Sequence, residues 1–184
     1  MLIALAALAL MQETVPTALS DLPPPPPAAS AMPPTPTPSV PPGDLSTSPP
    51  LPQGPLLPVA RSETGETFLV VDRAAKAGDI ADFWTFEVFS PAIEIRPGVA
   101  AVQGIAHHEV NCDAKTDQTV ASAGYDESGT PVVALAASPA APLVAASANG
   151  LIADAICRGA PWPKSGELQG HAAALAQTRT PAGS

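Results

Sequence analysis

The chain has 184 residues, a formal net charge of −9 and 46% hydrophobic residues. This acidic balance disfavours nucleic acid and anionic lipid as partners, because both are negatively charged. The eight Lys and Arg residues are scattered singly, with no basic patch that could follow a phosphate backbone. We therefore predict no nucleic-acid partner.

The first segment, residues 1–14, resembles a signal peptide. Its apolar run over residues 2–11 is too short to cross a bilayer, which takes about 20 residues, but it suits the hydrophobic region of a secretory signal. No Lys or Arg precedes the run, so the interpretation that it is not a signal stays open. We predict export to the periplasm or cell surface, with no integral membrane span after signal removal.

Residues 15–62 are predicted to form a disordered, proline-rich spacer. Most of the 25 prolines precede residue 61. Proline fixes φ and lacks an amide donor, so helices and central strands are disfavoured and extended polyproline II is favoured. A proline-motif ligand is the alternative, but the usual flanking basic residue is missing, since Arg61 is the first basic residue of the chain.

Residues 63–160 are predicted to be the folded domain. Apolar and alternating runs indicate strands over 67–72, 82–89, 99–112, 119–125 and 130–135. Pro91 is expected to end the second of these strands. Asp126 to Gly129 reads as a hairpin loop, and the short connections imply antiparallel pairing.

A helix is predicted after the strands. Ser147 can cap it, Leu151, Ile152, Ala155 and Ile156 share one face, and Gly159 can stop it. Residues 161–184 are predicted to be a flexible tail. The fold class is therefore α+β: a small antiparallel sheet with a C-terminal helix.

Cys112 and Cys157 are the only two cysteines. An even count in an exported chain favours a disulfide, which would tie the helix to the sheet. Reactive or metal-binding thiols remain the alternatives at this point. His107 and His108 next to Cys112 suggest zinc ligands, but adjacent residues of a strand point to opposite faces, so both imidazoles cannot reach one ion.

The order of these features over residues 66–158 resembles the surface-adhesin protein E family of bacterial envelope proteins. The matching pieces are Trp84, Glu109-Val110-Asn111-Cys112, Tyr125-Asp126-Glu127-Ser128-Gly129, Ser147 and Ala155-Ile156-Cys157. The resemblance implies a sheet and helix joined by the disulfide. It also implies adhesion to host matrix proteins such as vitronectin and laminin, and a capacity to dimerise. The chain departs from the basic binding segment of the family's adhesin, because no Lys or Arg precedes Arg61.

We predict an exported envelope module that binds another protein or has a structural role. The alternatives are a periplasmic accessory domain without a host ligand and a small hydrolase. No nucleophile elbow or glycine-rich phosphate loop is present, so no catalytic, cofactor-binding or metal-ligating residue is predicted and the chain is not expected to be an enzyme. A solvent-open cleft that brings His107 or His108 together with carboxylates would favour the hydrolase.

Overall fold

The structure is a computed structural model that describes residues 44–163 and 166–179. The signal-like segment and most of the proposed spacer lie outside these residues. Their predictions therefore stay predictions.

One antiparallel sheet contains the nine strands found in the described part of the chain. The strands are β1 (Pro55–Ser62), β2 (Gly65–Val70), β3 (Ala75–Ala77), β4 (Ile80–Arg96), β5 (Val99–Asn111), β6 (Thr116–Tyr125), β7 (Pro131–Leu135), β8 (Ala141–Pro142) and β9 (Leu168–Gln169). Two α-helices accompany them, α1 (Ala148–Arg158) and α2 (Gly170–Arg179). The strand order is β7-β6-β5-β4-β2-β1-β9, while β3 pairs with β4 and β8 pairs with β6.

The outline of the α+β prediction is confirmed, with one strand longer than expected. Pro91 does not end β4, which continues to Arg96. Pro91 instead lies where the hydrogen-bond ladder is interrupted. The β4–β5 register shifts between Val88 and Ile93, as expected for a residue without an amide donor. Beyond that break, β4 and β5 pair again and form a hairpin arm that turns at Gly98, where φ is +77°.

Helix α1 covers one half of the first face of the sheet. Its start and stop are as predicted, because Ser147 Oγ accepts from the Gly150 amide and Gly159 is the left-handed C-cap. Ile152, Ala153 and Ile156 pack on strand residues of this face. Leu151 was expected on the buried side but is 50% exposed. The strand residues of the packed cluster are Leu57, Leu69, Ala81, Phe83 and Val110.

The C-terminal segment is a correction to the predicted flexible tail. Leu168 pairs with Leu56 in the sheet, and α2 packs Ala174 and Leu175 on the second face. Thr178 Oγ1 also donates to the buried Glu66 carboxylate at 3.1 Å. The short apolar pattern of this alanine-rich stretch becomes a helix because the second face supplies a surface to bury it. That face contributes Leu56, Phe68, Val70, Phe86 and Val88.

The predicted spacer also differs from the structure at its C-terminal end, since residues 55–62 form β1. Only Pro55 and Leu56 pair with β9, so most of β1 is an edge strand, where proline is tolerated. Pro58 lies beside a register irregularity.

The segment just before β1 also contacts the sheet, because the Tyr125 hydroxyl donates a hydrogen bond to the Pro49 carbonyl.

Neither helix in residues 44–163 and 166–179 combines the length and apolar character required to cross a bilayer.

Candidate binding groove

The half of the first face that α1 leaves uncovered is a groove. Two rows of residues run across β4, β5, β6 and β7 in register, and their members on β4, β5 and β6 that line the groove form its floor. One row is Glu87, Gly104, Gly124 and Val133, and the other is Thr85, Ala106, Ser122 and Leu135. Both rows have their smallest side chains in the middle two strands, so the sheet surface is concave there.

The walls of the groove are apolar. Phe89, Ile93 and Ile95 line one side, and Val133 and Leu135 line the other. The groove has a volume of about 400 Å³. Ile93 is 46% exposed and Leu135 is 40% exposed, so apolar side chains continue from the groove to its rim.

Close packing at the floor explains two glycines. A Cβ at Gly104 would come within 3.0 Å of the Phe89 ring, and one at Gly124 would come within 2.9 Å of Val133. Real Cβ atoms essentially never show the distance at Gly124 and seldom show the one at Gly104, so larger residues would displace the walls. The two glycines therefore allow the wall side chains to lie against the floor.

Glu87 is the carboxylate of the groove, and it is unpaired. No hydrogen bond or salt bridge joins its side chain to another residue in the described ranges. Burial raises the pKa of Glu87, while the charge of His108 acts in the opposite direction. An unpaired, partly desolvated carboxylate is unfavourable for folding.

We predict that Glu87→Gln stabilises the free protein at neutral pH. Burial raises the pKa of Glu87 above its value in the unfolded chain, so the folded state favours the protonated carboxyl group. This stabilisation is fully present below the unfolded-state pKa and is lost as the pH rises through the folded-state pKa. The variant should therefore unfold at a higher temperature than the wild type at pH 7, with a difference that shrinks in acid. Thermal unfolding followed by circular dichroism at several pH values measures this. A less stable variant at pH 7 would show that Glu87 has a structural partner.

His108 lies at the α1 end of the groove and is held by a polar network. Its Nδ1 is 3.2 Å from Asp117 Oδ1 and 3.2 Å from Asn149 Nδ2, while its Nε2 is 3.3 Å from Thr85 Oγ1. Asn149 also donates to Asp117 Oδ2 at 2.9 Å. The ring stacks on Phe83 at 5.3 Å between centroids. Both imidazole nitrogens are thus engaged with protein groups.

We predict that Asp117→Asn destabilises the protein at neutral pH by about 1–2 kcal/mol, because hydrogen bonds to a charged group are weakened. Burial by itself would raise the pKa of Asp117, but the hydrogen bonds with His108 and Asn149 and the charge of His108 outweigh it, so the pKa is lowered. The stabilisation is present above the unfolded-state pKa and is lost as the pH falls through the folded-state pKa. Urea unfolding at pH 7 and pH 3 should show wild type and variant converging in acid. An equal difference at both pH values would show that the stabilisation does not depend on the ionised Asp117 carboxylate.

His107 lies on the second face, as the alternation of the strand predicted. Its ring stacks on Trp84 with centroids 4.6 Å apart, and its Nε2 is 3.1 Å from Asp82 Oδ2. Ligand atoms of Asp82, His107 and Glu109 lie within 4.8 Å of one another. Such donors suit a divalent cation, but His107 already has Asp82 as a hydrogen-bond partner. The absence of a metal site stays a prediction.

The predicted disulfide is confirmed. Cys112 and Cys157 are bonded with Cα atoms 5.7 Å apart, which joins the end of β5 to the end of α1. Neither sulfur is therefore available as a thiolate nucleophile or metal ligand. Lys76 donates to the Cys157 carbonyl at 2.8 Å beside it.

The groove was missed in the sequence, although a signal for it exists. Gly104 and Ala106 on β5 and Ser122 and Gly124 on β6 are small residues at alternating positions of two neighbouring strands. Such a pattern indicates a strip of sheet with little side-chain volume. Glu87 gave no signal, because a single Glu in an alternating strand normally faces solvent.

Together, the fold and groove define a small disulfide-bonded α+β protein with an open apolar groove on one sheet face. Protein E from Haemophilus influenzae is a similar solved structure, with a TM-score of 0.42 and 14% identity over 56% of this chain and 84% of that chain. No protein-family model matches this chain. No curated protein matches it either.

Proposed function

We propose that this chain is an exported cell-envelope module that binds a protein partner in the groove. The observation that carries the proposal is the concave, uncovered half of the first sheet face with its apolar walls. Its volume of about 400 Å³ lies within the usual range for ligand sites. Ile93 and Leu135 extend the apolar surface to the rim, which suits a protein surface better than a small molecule enclosed in a cavity.

Export is the part of the proposal that rests on the disulfide. Structural disulfides persist in oxidising compartments and are rare in the cytosol. The Cys112–Cys157 bond therefore supports a periplasmic or extracellular location, as does the signal-like segment of residues 1–14. The role we propose is protein–protein interaction, with adhesion as one form of it.

The second candidate is a hydrolase. The observation in its favour is that His108 and Glu87 both line the open groove. A hydrolytic base, however, needs a ring nitrogen directed at a reacting hydroxyl or water. Both nitrogens of His108 have protein partners, and the hydroxyl beside Nε2 belongs to Thr85, which is 1% exposed. We therefore propose binding and no enzymatic activity. A structural accessory domain without a ligand is the other alternative.

Site-specific photo-crosslinking in the native cell envelope tests the proposal. A photoreactive phenylalanine analogue at Ile93 or Leu135 would lie on the rim of the groove, and one at Leu151 would be a matched control, because Leu151 is also apolar and exposed but lies on α1. We expect one discrete protein adduct from the rim positions and none from the control. Equal adducts from all three, or none from the rim, would contradict binding in the groove.

The same material tests export. Peptide mass spectrometry of the protein from the envelope fraction, with and without reduction, should find the Cys112–Cys157 peptide and a mature N-terminus after the apolar run. Free thiols on an unprocessed cytoplasmic chain would overturn the envelope location.

A further inference from the structure

The groove contains a carboxylate, Glu87, that no hydrogen bond or salt bridge joins to another described residue. Glu87 lies on its floor, and neither Lys nor Arg is among the residues that line it. His108 is the other titratable group of the lining, and its ring is held by Asp117, Asn149 and Thr85. The groove therefore presents a carboxylate whose hydrogen-bonding capacity is free for a ligand.

We propose that an arginine side chain of the protein partner occupies the groove, with its guanidinium group on the Glu87 carboxylate. This inference rests on the proposed function and adds the chemistry of the partner. An arginine fits both parts of the site, because its methylene stem packs on apolar walls while its planar head makes paired hydrogen bonds with a carboxylate. The stem would lie across Ala106 and Ser122, which are paired on β5 and β6 and line the groove with small side chains.

The charge of the whole chain points in the same direction. Its net charge of −9 attracts a basic partner and repels an acidic one. Guanidinium is also more weakly hydrated than the ammonium group of lysine, so it is more easily moved from water into a groove with apolar walls. A neutral apolar side chain would fill the groove but would remove more water from the Glu87 carboxylate without pairing it, which is unfavourable.

The energetics of Glu87 in the free protein agree with this role. Its burial raises the pKa of the carboxyl group, and the opposing charge of His108 does not cancel this shift. A residue kept at such a position without a partner in its own chain is typical of a binding site, where the ligand supplies the missing interaction. The expected stabilisation by Glu87→Gln in the free protein would be accompanied by weaker binding of a cation.

Two peptides that differ only in the head group of one side chain test the inference. The first is acetyl-Leu-Arg-Leu-amide, and the second replaces arginine with citrulline, which has nearly the same shape but no charge. Binding of each to the full chain would be measured by isothermal titration calorimetry, with the wild type, Glu87→Gln and the control Glu94→Gln. Glu94 is exposed on the hairpin arm and does not line the groove.

We expect the arginine peptide to bind the wild type and the Glu94→Gln control roughly tenfold or more tightly than the citrulline peptide, the size expected for a charge-assisted hydrogen-bonded pair. In Glu87→Gln the two affinities should become nearly equal. Thermal unfolding of the same samples shows that the variant is folded. If folded Glu87→Gln no longer distinguishes the arginine peptide from the citrulline peptide, the preference for arginine comes from the Glu87 carboxylate.

Three other outcomes would overturn the inference, and they separate its failure from that of the proposed function. Equal binding of both peptides to the wild type would leave the groove as a peptide-binding site but remove the arginine. Binding of n-propylguanidinium as tightly as the arginine peptide would indicate a small organic cation in place of a protein partner. Binding of neither peptide at millimolar concentration, together with no crosslink from Ile93 or Leu135, would overturn the groove itself.

Discussion

Replacing both cysteines with alanine, Cys112→Ala and Cys157→Ala, should lower the free energy of unfolding by about 4 kcal/mol. The disulfide closes a loop with a sequence separation of 45, and the chain-entropy model gives a stabilisation of this size for such a loop. This is a large fraction of the 5–15 kcal/mol that is typical of whole domains. The effect should be concentrated on α1, because an isolated helix of 11 residues is marginal in water.

Urea unfolding followed by circular dichroism measures this loss, with the oxidised wild type as reference. Alanine is the appropriate replacement because Cys112 is buried, and serine would add a buried hydroxyl. The reduced wild type is the matched control, since it loses the bond and keeps both side chains. A loss below about 1 kcal/mol in both would show that packing of Ile152 and Ile156 on Phe83 is enough to hold α1 in place.

Filling the groove should weaken binding without unfolding the protein. Ala106 lies between Thr85 and Ser122 on the floor, and Ala106→Phe would place an aromatic ring where we propose that the partner binds. We expect affinity for the arginine peptide to fall by roughly 30-fold or more, the size of a binding hot spot. Thermal stability should change little, because the ring enters open space and contacts apolar walls.

The control for this variant is Ala172→Phe, which adds the same ring at an exposed position of α2. Its binding should match that of the wild type in calorimetry. If Ala106→Phe binds as tightly as the control, the partner does not use the floor of the groove. Thermal unfolding of both variants shows whether Ala106→Phe is folded. An unchanged unfolding temperature would assign weaker binding to the filled groove, and a lower one would indicate partial unfolding.

The elements predicted well are those with strong local signals. Ser147 and Gly159 define α1 because a side-chain cap and a left-handed residue are local requirements of helix ends. The loop after Tyr125 is likewise local, since Asp126 Oδ1 accepts from the Ser128 and Thr130 amides. The disulfide followed from a count of two cysteines and an expected compartment.

The elements that were missed depend on tertiary contacts. Residues 55–62 contain two prolines, and they form β1 because β2 offers an edge where the missing amide is harmless. Helix α2 has few large apolar residues, so its sequence does not predict a packed helix, and its stability comes from the second face of the sheet. The groove is non-local in the same sense: it requires four strands in register and a helix that covers only half of their face.

Binding of an arginine-bearing partner in the groove can be followed residue by residue. Two-dimensional ¹H–¹⁵N NMR of the oxidised protein, titrated with acetyl-Leu-Arg-Leu-amide, tests it most directly. We predict that the largest shifts occur at the amides of Gly104, Ala106, Ser122 and Gly124, with little change on α2. Shifts centred on Trp84 and His107 of the second face, or no saturable shifts at all, would contradict the claim.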